Sequence, residues 1–503
     1  VQQNPQSALD ADRRSRDLSA LGDGGVVDVL VIGGGITGVG TALDAASRGL
    51  RVVLVDRHDL AFGTSRWSSK LAHGGLRYLA SGNVGIARES AVERGILMTR
   101  TAPHLVRALP QLVPLLPSVS FFEKTLVRTG FLAGDVLRIT ARTPASVLPR
   151  SRHIGSERSA QLAPAVRREG LRGGLLAFDG QLVDDARLVV TLARTAAAHG
   201  ATVLTRVGAY DVTGESARLR DELTGEELTI RARAVVNAAG VWAGQVDPDI
   251  RLKPSRGTHL VLPAERLGNP TAALTVPIPG ETNRFVFALP AQLGRVYLGL
   301  TDEAVDGAVP DVPTASDGEI DFLLDTVNTA LATPLTRADV LGTFAGLRPL
   351  LDTGEGKTAD LSRNHAVLHS SNGVISVVGG KLTTYRKMAE DAVDAAVTAG
   401  GLTARACMTR DLPAVGATGP APRNLPVSLI ARYGSEAALV AAAGELTPIA
   451  DGIDVTHAEF AFAVSHEGAL DVDDLLDRRT RVGLVPADRE RALPAAQKAL
   501  ARD

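Results

Sequence analysis

Residues 28–56, DVLVIGGGITGVGTALDAASRGLRVVLVD, constrain the fold of this chain more than any other segment. An apolar, β-branched run leads into Gly33, Gly35 and Gly38 at GxGxxG spacing. A small-residue helical stretch follows, Gly49 stops it, and a second apolar run ends on Asp56. Strand, glycine turn, helix and strand form the opening unit of a doubly wound parallel sheet. Gly33 permits the tight turn, Gly35 lets a pyrophosphate approach the backbone, and Gly38 lets helix and strand pack closely. The helix N-terminus at Ile36 and Thr37 offers unpaired N–H groups and a partial positive charge to phosphates. An acid at position 56 can bind ribose hydroxyls and would repel a 2′-phosphate. Gly33, Gly35, Ile36, Thr37, Gly38 and Asp56 are therefore expected to hold a dinucleotide.

Strands of the same buried style recur at ARAVVNAAG, near 236, and at GVISVVGG, 373–380. Between Lys253 and Leu300 the pattern changes: THLVL, RFVFAL and RVYLGL, separated by turn residues, predict an antiparallel sheet. Residues 84–110 read as helical, as do 184–199 and 384–399, and ATVLTRV reads as a strand. A simple NAD domain runs regular βα units in succession. Here a long polar loop follows the second strand, and the last buried strand arrives only at GGK, 379–381. That split suits a flavin laid across the sheet, its ring reaching into an inserted domain.

The predicted class is α/β, in about three domains, as a chain of 503 residues requires. A Rossmann-like domain assembles from discontinuous segments, about 26–83, 176–250 and 340–408. An α+β substrate domain with an antiparallel sheet is inserted at about 84–175 and 251–339. A Pro/Gly/Ala-rich linker, 409–426, leads to a C-terminal helical domain, 427–503. Residues 1–25 are polar, with no apolar h-region, and read as a flexible tail rather than a signal peptide.

Composition excludes several functions. A net charge of −2 carries no polyanion signature, so no nucleic-acid partner is expected. The lone Cys407 rules out a disulfide framework and fits a reducing cytoplasm. No His/Asp/Glu cluster has metal-ligand spacing, and no metal is expected. No apolar run has the ~20 residues of a membrane span. Residues 119–140 interleave Phe121, Phe122, Leu126, Phe131 and Leu132 with Lys124, Arg128 and Arg138. Such a segment either packs on the core or lies in a bilayer interface, which would place the protein peripherally on the inner face of the cell membrane.

The runs IGGGITGVGTALDAASRG (32–49) and GGKLTTYRKMA (379–389) closely resemble the two signature segments of the FAD-dependent glycerol-3-phosphate dehydrogenases. SSKLAHGGLRYL (68–79), VDDARLV (183–189), NAAGVWA (237–243), GLRPL (346–350) and HAEFAFAVSHEGALDVDDLLDRRTRVGL (457–484) are similar to further family segments. The resemblance implies FAD as cofactor and oxidation of sn-glycerol 3-phosphate to dihydroxyacetone phosphate by hydride transfer to flavin N5. Electrons would pass to membrane quinone. An oxygen-using glycerol-3-phosphate oxidase, another small-molecule oxidase, and a non-enzymatic flavin-binding redox module remain open. A homodimer is compatible with all of these.

A dianionic phosphate calls for Arg and Lys. Arg77 and Arg348 both follow Gly-Leu within family segments, and Tyr78 can donate its hydroxyl to the same group. Lys381, after Gly379 and Gly380 at a strand end, would touch substrate or stabilise the reduced flavin. His259 and His73 are the candidate proton acceptors, with Arg348 able to stabilise an alkoxide. Ser68, Ser69 and Lys70 are expected on the diphosphate and ribityl chain. The resemblance places His73, Gly74, Val207, Ala239, Gly240, Gly380, Lys381, Leu382 and Thr383 on the cofactor as well. Asp184–Asp185 reads as a helix N-cap.

Overall fold

The strand–turn–helix–strand unit forms as Val26–Ile32, Ile36–Ser47 and Val52–Asp56. The structure is a computed structural model, and it describes residues 5–22, 24–75, 83–117, 121–281, 284–305, 307–352 and 365–501. Val26–Ile32 lies at the centre of an eight-stranded sheet, with Val52–Asp56 parallel on one side and Glu227–Asn237 parallel on the other. Thr202–Thr205 and Ile375–Gly379 extend the parallel set at its two ends. The strands are apolar throughout because both faces are covered. Helices Ile36–Ser47, Asp185–Ala198 and Tyr385–Ala399 bury one face around Val29, Val31, Leu54 and Val236.

A ten-stranded, mainly antiparallel sheet forms the inserted domain. The three predicted strands lie within Ser255–Pro263, Phe285–Pro290 and Arg295–Gly299. Helix Asp317–Asn328 packs on it behind a Ser316–Glu319 capping box. The C-terminal helices Val427–Tyr433, Ala437–Ala443, His457–His466 and Pro486–Leu500 bury their own clusters around Phe460 and Phe462.

Three expectations are corrected. Residues 1–25 do not form a loose tail where they are described. Ala11–Leu21 is a helix capped by Asp10, and its Leu18 and Leu21 pack on the second face of the parallel sheet. Arg14 pairs with Asp221 at 2.6 Å and also donates to the Thr205 carbonyl. Two leucines and the polar contacts of Arg13 and Arg14 dock this short helix, so composition carries little trace of it. The helix at 84–96 does not run to 110: Val106–Pro114 is a strand paired with Gly174–Leu182 in the second sheet. The domain boundaries also move, because Gly174–Leu182 and Gly342–Arg348, assigned above to the nucleotide domain, both join the antiparallel sheet. An apolar strand does not encode which of two sheets it enters.

Residues 121–140 form one helix, and no helix among the described residues is long and apolar enough to cross a membrane. The helix buries Phe131 and Leu137 but exposes Leu132, Val136 and Ile139 at helical spacing.

Candidate functional site

A cavity of about 930 Å³ runs from the C-terminal ends of the parallel strands to beneath the antiparallel sheet. Ligands bind at this end of open α/β sheets because the loops diverge there. The glycine turn forms the first wall. Gly33 has φ 113°, and Gly33, Gly35, Ile36 and Thr37 line the cavity. Gly38 does not line it; a Cβ there would lie 1.7 Å from the Gly33 carbonyl oxygen, so this glycine permits the packing beneath the turn. Asp56 accepts from the Gly34 N–H at 2.5 Å and the His58 N–H at 2.7 Å. Burial pushes its carboxyl up to about 6 against those two bonds. Val207, Ala239 and Gly240 complete this end.

The turn after the second strand supplies the next wall. Ser68 and Ser69 line the cavity, but both are held by protein groups. Ser68 donates its N–H and Oγ to Asp185 Oδ2, and Ser69 Oγ lies 2.9 Å from His259 Nε2. Lys70 does not reach the cofactor wall, contrary to expectation. With φ 58° it turns inward, and Nζ donates to the Arg66 carbonyl (2.8 Å), the Ser68 carbonyl (3.1 Å) and Asp185 Oδ2 (3.0 Å). Burial pulls its ammonium down to about 8, with Asp185 opposing. Gly74 likewise sits behind the wall: its N–H donates to Asp179, and a Cβ there would meet the Arg94 guanidinium at 2.1 Å. Asp184 caps helix Asp185–Ala198 as read from sequence, whereas Asp185 holds Lys70 and Ser68.

Arg348, Lys381, His259 and His73 line this same cavity. Arg348 ends strand Gly342–Arg348 and donates Nη1 to Ser255 Oγ and Asp302 Oδ1, both at 3.1 Å, and Nη2 to the Thr301 carbonyl at 3.2 Å. Gly257 leaves room for it, since a Cβ there would lie 2.3 Å from Nη2. Lys381 donates to Ser90 Oγ at 3.0 Å. Gly380, Lys381, Leu382 and Thr383 line the cavity beside His73. His259 is buried and stacks on Phe344, 4.6 Å between ring centroids. Burial, with Lys70 and Arg348 nearby, holds its imidazole well below the ordinary range, so it is neutral at pH 7. His73 Nδ1 lies 3.1 Å from Asp179 Oδ2, and its side chain is 44% exposed. Burial would raise Asp179, but Arg94 at 2.7 Å and His73 outweigh it and hold the carboxyl below its usual value. Arg77 and Tyr78 lie outside the described residues.

Sequence reasoning missed Asp179, Ser65, Ser90 and Asp302. Asp179 left a signal, as the one charged residue in the strand GLLAFDGQL. Ser65, whose Oγ accepts from the Ile36 N–H at 2.8 Å, left none.

A large cavity, a glycine cradle at a helix N-terminus and a carboxylate at the next strand end define a dinucleotide-binding protein. The FAD-dependent oxidoreductase family matches residues 28–386, and the C-terminal domain of alpha-glycerophosphate oxidase matches 402–503. The chain is 66% identical over 510 residues to glycerol-3-phosphate dehydrogenase 1 of Mycobacterium tuberculosis, covering 99% of each. The structure of the Bacillus halodurans glycerol-3-phosphate dehydrogenase complexed with FAD superposes with a TM-score of 0.74 at 27% identity, covering 98% of this chain and 94% of that one. The fold is shared with an FAD-bound L-alpha-glycerophosphate oxidase from Mycoplasma pneumoniae, TM-score 0.58 at 17% identity, over 77% of this chain and 99% of the other. The chain belongs to the FAD-dependent glycerol-3-phosphate dehydrogenase family. FAD is its cofactor, and the residues present fit it: Gly33, Gly35 and Thr37 at the helix start would face the diphosphate, although the Ile36 N–H expected there is taken by Ser65 Oγ, Asp56 would face a ribose, and the 380–383 turn the ring end.

Proposed function

We propose that this chain oxidises sn-glycerol 3-phosphate to dihydroxyacetone phosphate and passes the electrons to membrane quinone. The carrying observation is that Arg348 and Lys381 line the same cavity as the glycine turn, together with His73 and His259. FAD, when bound, would supply the two-electron acceptor for the hydride. The chain's own residues have three tasks. Arg348, oriented by Asp302, Ser255 and the Thr301 carbonyl, offers a rigid guanidinium to the phosphate or the developing alkoxide. Lys381 adds a second cation, which suits a dianion better than a carboxylate. The alcohol proton goes to His73, because Asp179 orients its Nδ1 and would stabilise the imidazolium that forms. His259 is the poorer acceptor: it is buried beside Lys70 and Arg348, which oppose a further positive charge.

The acceptor reading draws on a different part of the molecule. An apolar branch of the cavity, with Val113, Leu126, Phe131, Phe285 and Phe287, reaches helix Phe121–Thr140. That helix exposes Leu132, Val136 and Ile139. Arg128 and Asp135 bind Ser151, so the exposed Arg150 and Arg152 lie beside it. Apolar side chains ringed by bases suit an anionic bilayer surface, from which a lipid-soluble quinone would enter.

Anaerobic addition of glycerol 3-phosphate to the holoenzyme should bleach the visible flavin band, and Arg348→Ala should abolish bleaching. A well-folded holoenzyme that stays yellow defeats the substrate assignment. Stoichiometric peroxide release with no response to quinone would replace quinone by oxygen. Undiminished binding of Leu132→Asp/Val136→Asp to anionic vesicles would rule out the membrane face.

A further inference from the structure

We propose that Arg481 of the C-terminal helical domain is a positioning residue for the active site: it sets the 66–69 turn, and through that turn the Ser69–His259 contact. Arg481 is fully buried and adopts a left-handed backbone, φ 62°, unusual for a residue with a Cβ. Its Nη2 donates to the Arg66 carbonyl at 2.5 Å and its Nη1 to the Asp477 carbonyl at 2.5 Å. Nε lies 3.3 Å from Asp184 Oδ2, and the guanidinium sits 5.0 Å from the Trp67 ring centroid.

Two routes lead from this side chain to His259. Along the backbone, the Arg66 carbonyl is shared between Arg481 and Lys70 Nζ, so the turn is gripped from both sides. Ser69 lies three residues on, with Oγ 2.9 Å from His259 Nε2. Through the rings, Trp67 packs on Phe344 at 6.0 Å, and Phe344 stacks on His259 at 4.6 Å with planes 7° apart. Trp67, Ser68, Ser69 and His259 all line the cavity; Arg481 does not. A buried cation is costly unless it is paired: the two carbonyls accept from Nη1 and Nη2, and Asp184 supplies the opposite charge, while Nε makes no hydrogen bond. The Arg194–Glu436 pair, at 2.6 Å, joins the same two domains without touching any cavity-lining residue, which provides a comparison.

The substrate-rate part of the test rests on the proposed reading; the spectroscopic part does not. Arg481→Gln, Arg481→Lys and Arg194→Gln are each made, with Trp67 emission read in a Trp242→Phe background, since the chain has two tryptophans. Arg481→Gln should shift Trp67 emission and the visible flavin band and lower kcat for glycerol 3-phosphate by about 10- to 100-fold, with little change in KM. Arg481→Lys should restore much of that loss. Arg194→Gln should lower the melting temperature while leaving kcat, emission and flavin band as in the wild type. If Arg481→Gln does not fold, Arg481→Lys carries the test, with a smaller shift of emission and flavin band expected. Unchanged emission and flavin band in the folded Arg481 variant overturn the proposal, as do changes no larger than those of Arg194→Gln. A wild type that glycerol 3-phosphate fails to reduce refutes the substrate reading alone, because emission and flavin band still report on Arg481.

Discussion

Lys70→Met separates a structural lysine from a cofactor ligand. Lys70 is 2% exposed, and its ammonium donates to two carbonyls and Asp185, itself fully buried. Methionine fills the volume but leaves the buried Asp185 carboxylate without a cation, held only by the Ser68 donors and the Ala186 N–H. Removing one partner of a buried ion pair costs ~3–5 kcal/mol, so the variant should lose about that much stability at pH 7. Lys70→Met/Asp185→Asn should regain part of it, because no buried charge is left unpaired. The pH dependence is a second signature. Lys70 sits at about 8 in the folded protein against 10.5 ordinarily, so the unfolded chain binds more protons between those values. Its contribution to stability therefore rises with pH across that window, by up to ~3 kcal/mol at ~1.4 kcal/mol per unit. The variant lacks that rise, and the gap from wild type should widen as pH climbs from 8 to 10.5. Urea transitions followed by circular dichroism at several pH values measure the gap, and flavin fluorescence measures FAD affinity. A variant as stable as wild type but unable to bind FAD would refute the reasoning.

Other perturbations test the remaining walls. Gly38→Ala should yield protein without bound flavin, since its Cβ would lie 1.7 Å from a backbone oxygen that cannot retreat; Gly85→Ala, with open space around its Cβ, should keep full flavin content by absorbance. FAD affinity should fall as pH drops through about 6, where Asp56 gains a proton and can no longer accept from both the backbone and a ribose hydroxyl. Titration by flavin fluorescence should show this slope vanish in Asp56→Asn. Asp179→Asn should slow flavin reduction by glycerol 3-phosphate about 10- to 100-fold in rapid-mixing experiments, because His73 loses the carboxylate that orients its Nδ1. A full-rate variant would remove His73 from the role of proton acceptor.

Part of this site is legible in the chain because its determinants are local. GxGxxG works through the dihedral freedom of Gly33 and the absent Cβ of Gly38, both properties of one turn, and Asp56 ends the very next strand. The 121–140 helix follows from near-helical spacing, again a short-range property. Asp179 was visible as an acid in an apolar strand, but nothing nearby shows that it would face His73, 106 residues away.

By itself, then, the sequence determined the nucleotide-binding unit, the antiparallel insertion, the helical C-terminus and the family. Those rest on periodicity, glycine spacing and motif order. Tertiary structure alone decided which sheet Gly174–Leu182 and Gly342–Arg348 joined, that Ala11–Leu21 docks, and which way Lys70 points. Lys70 meets Asp185 across 115 residues, and Arg481 grips the Arg66 carbonyl across 415. A basic residue in a polar loop reads the same whether it faces a phosphate or a buried carboxylate. The difference is made by long-range burial, which removes water and leaves each charge to the partner that the fold brings to it.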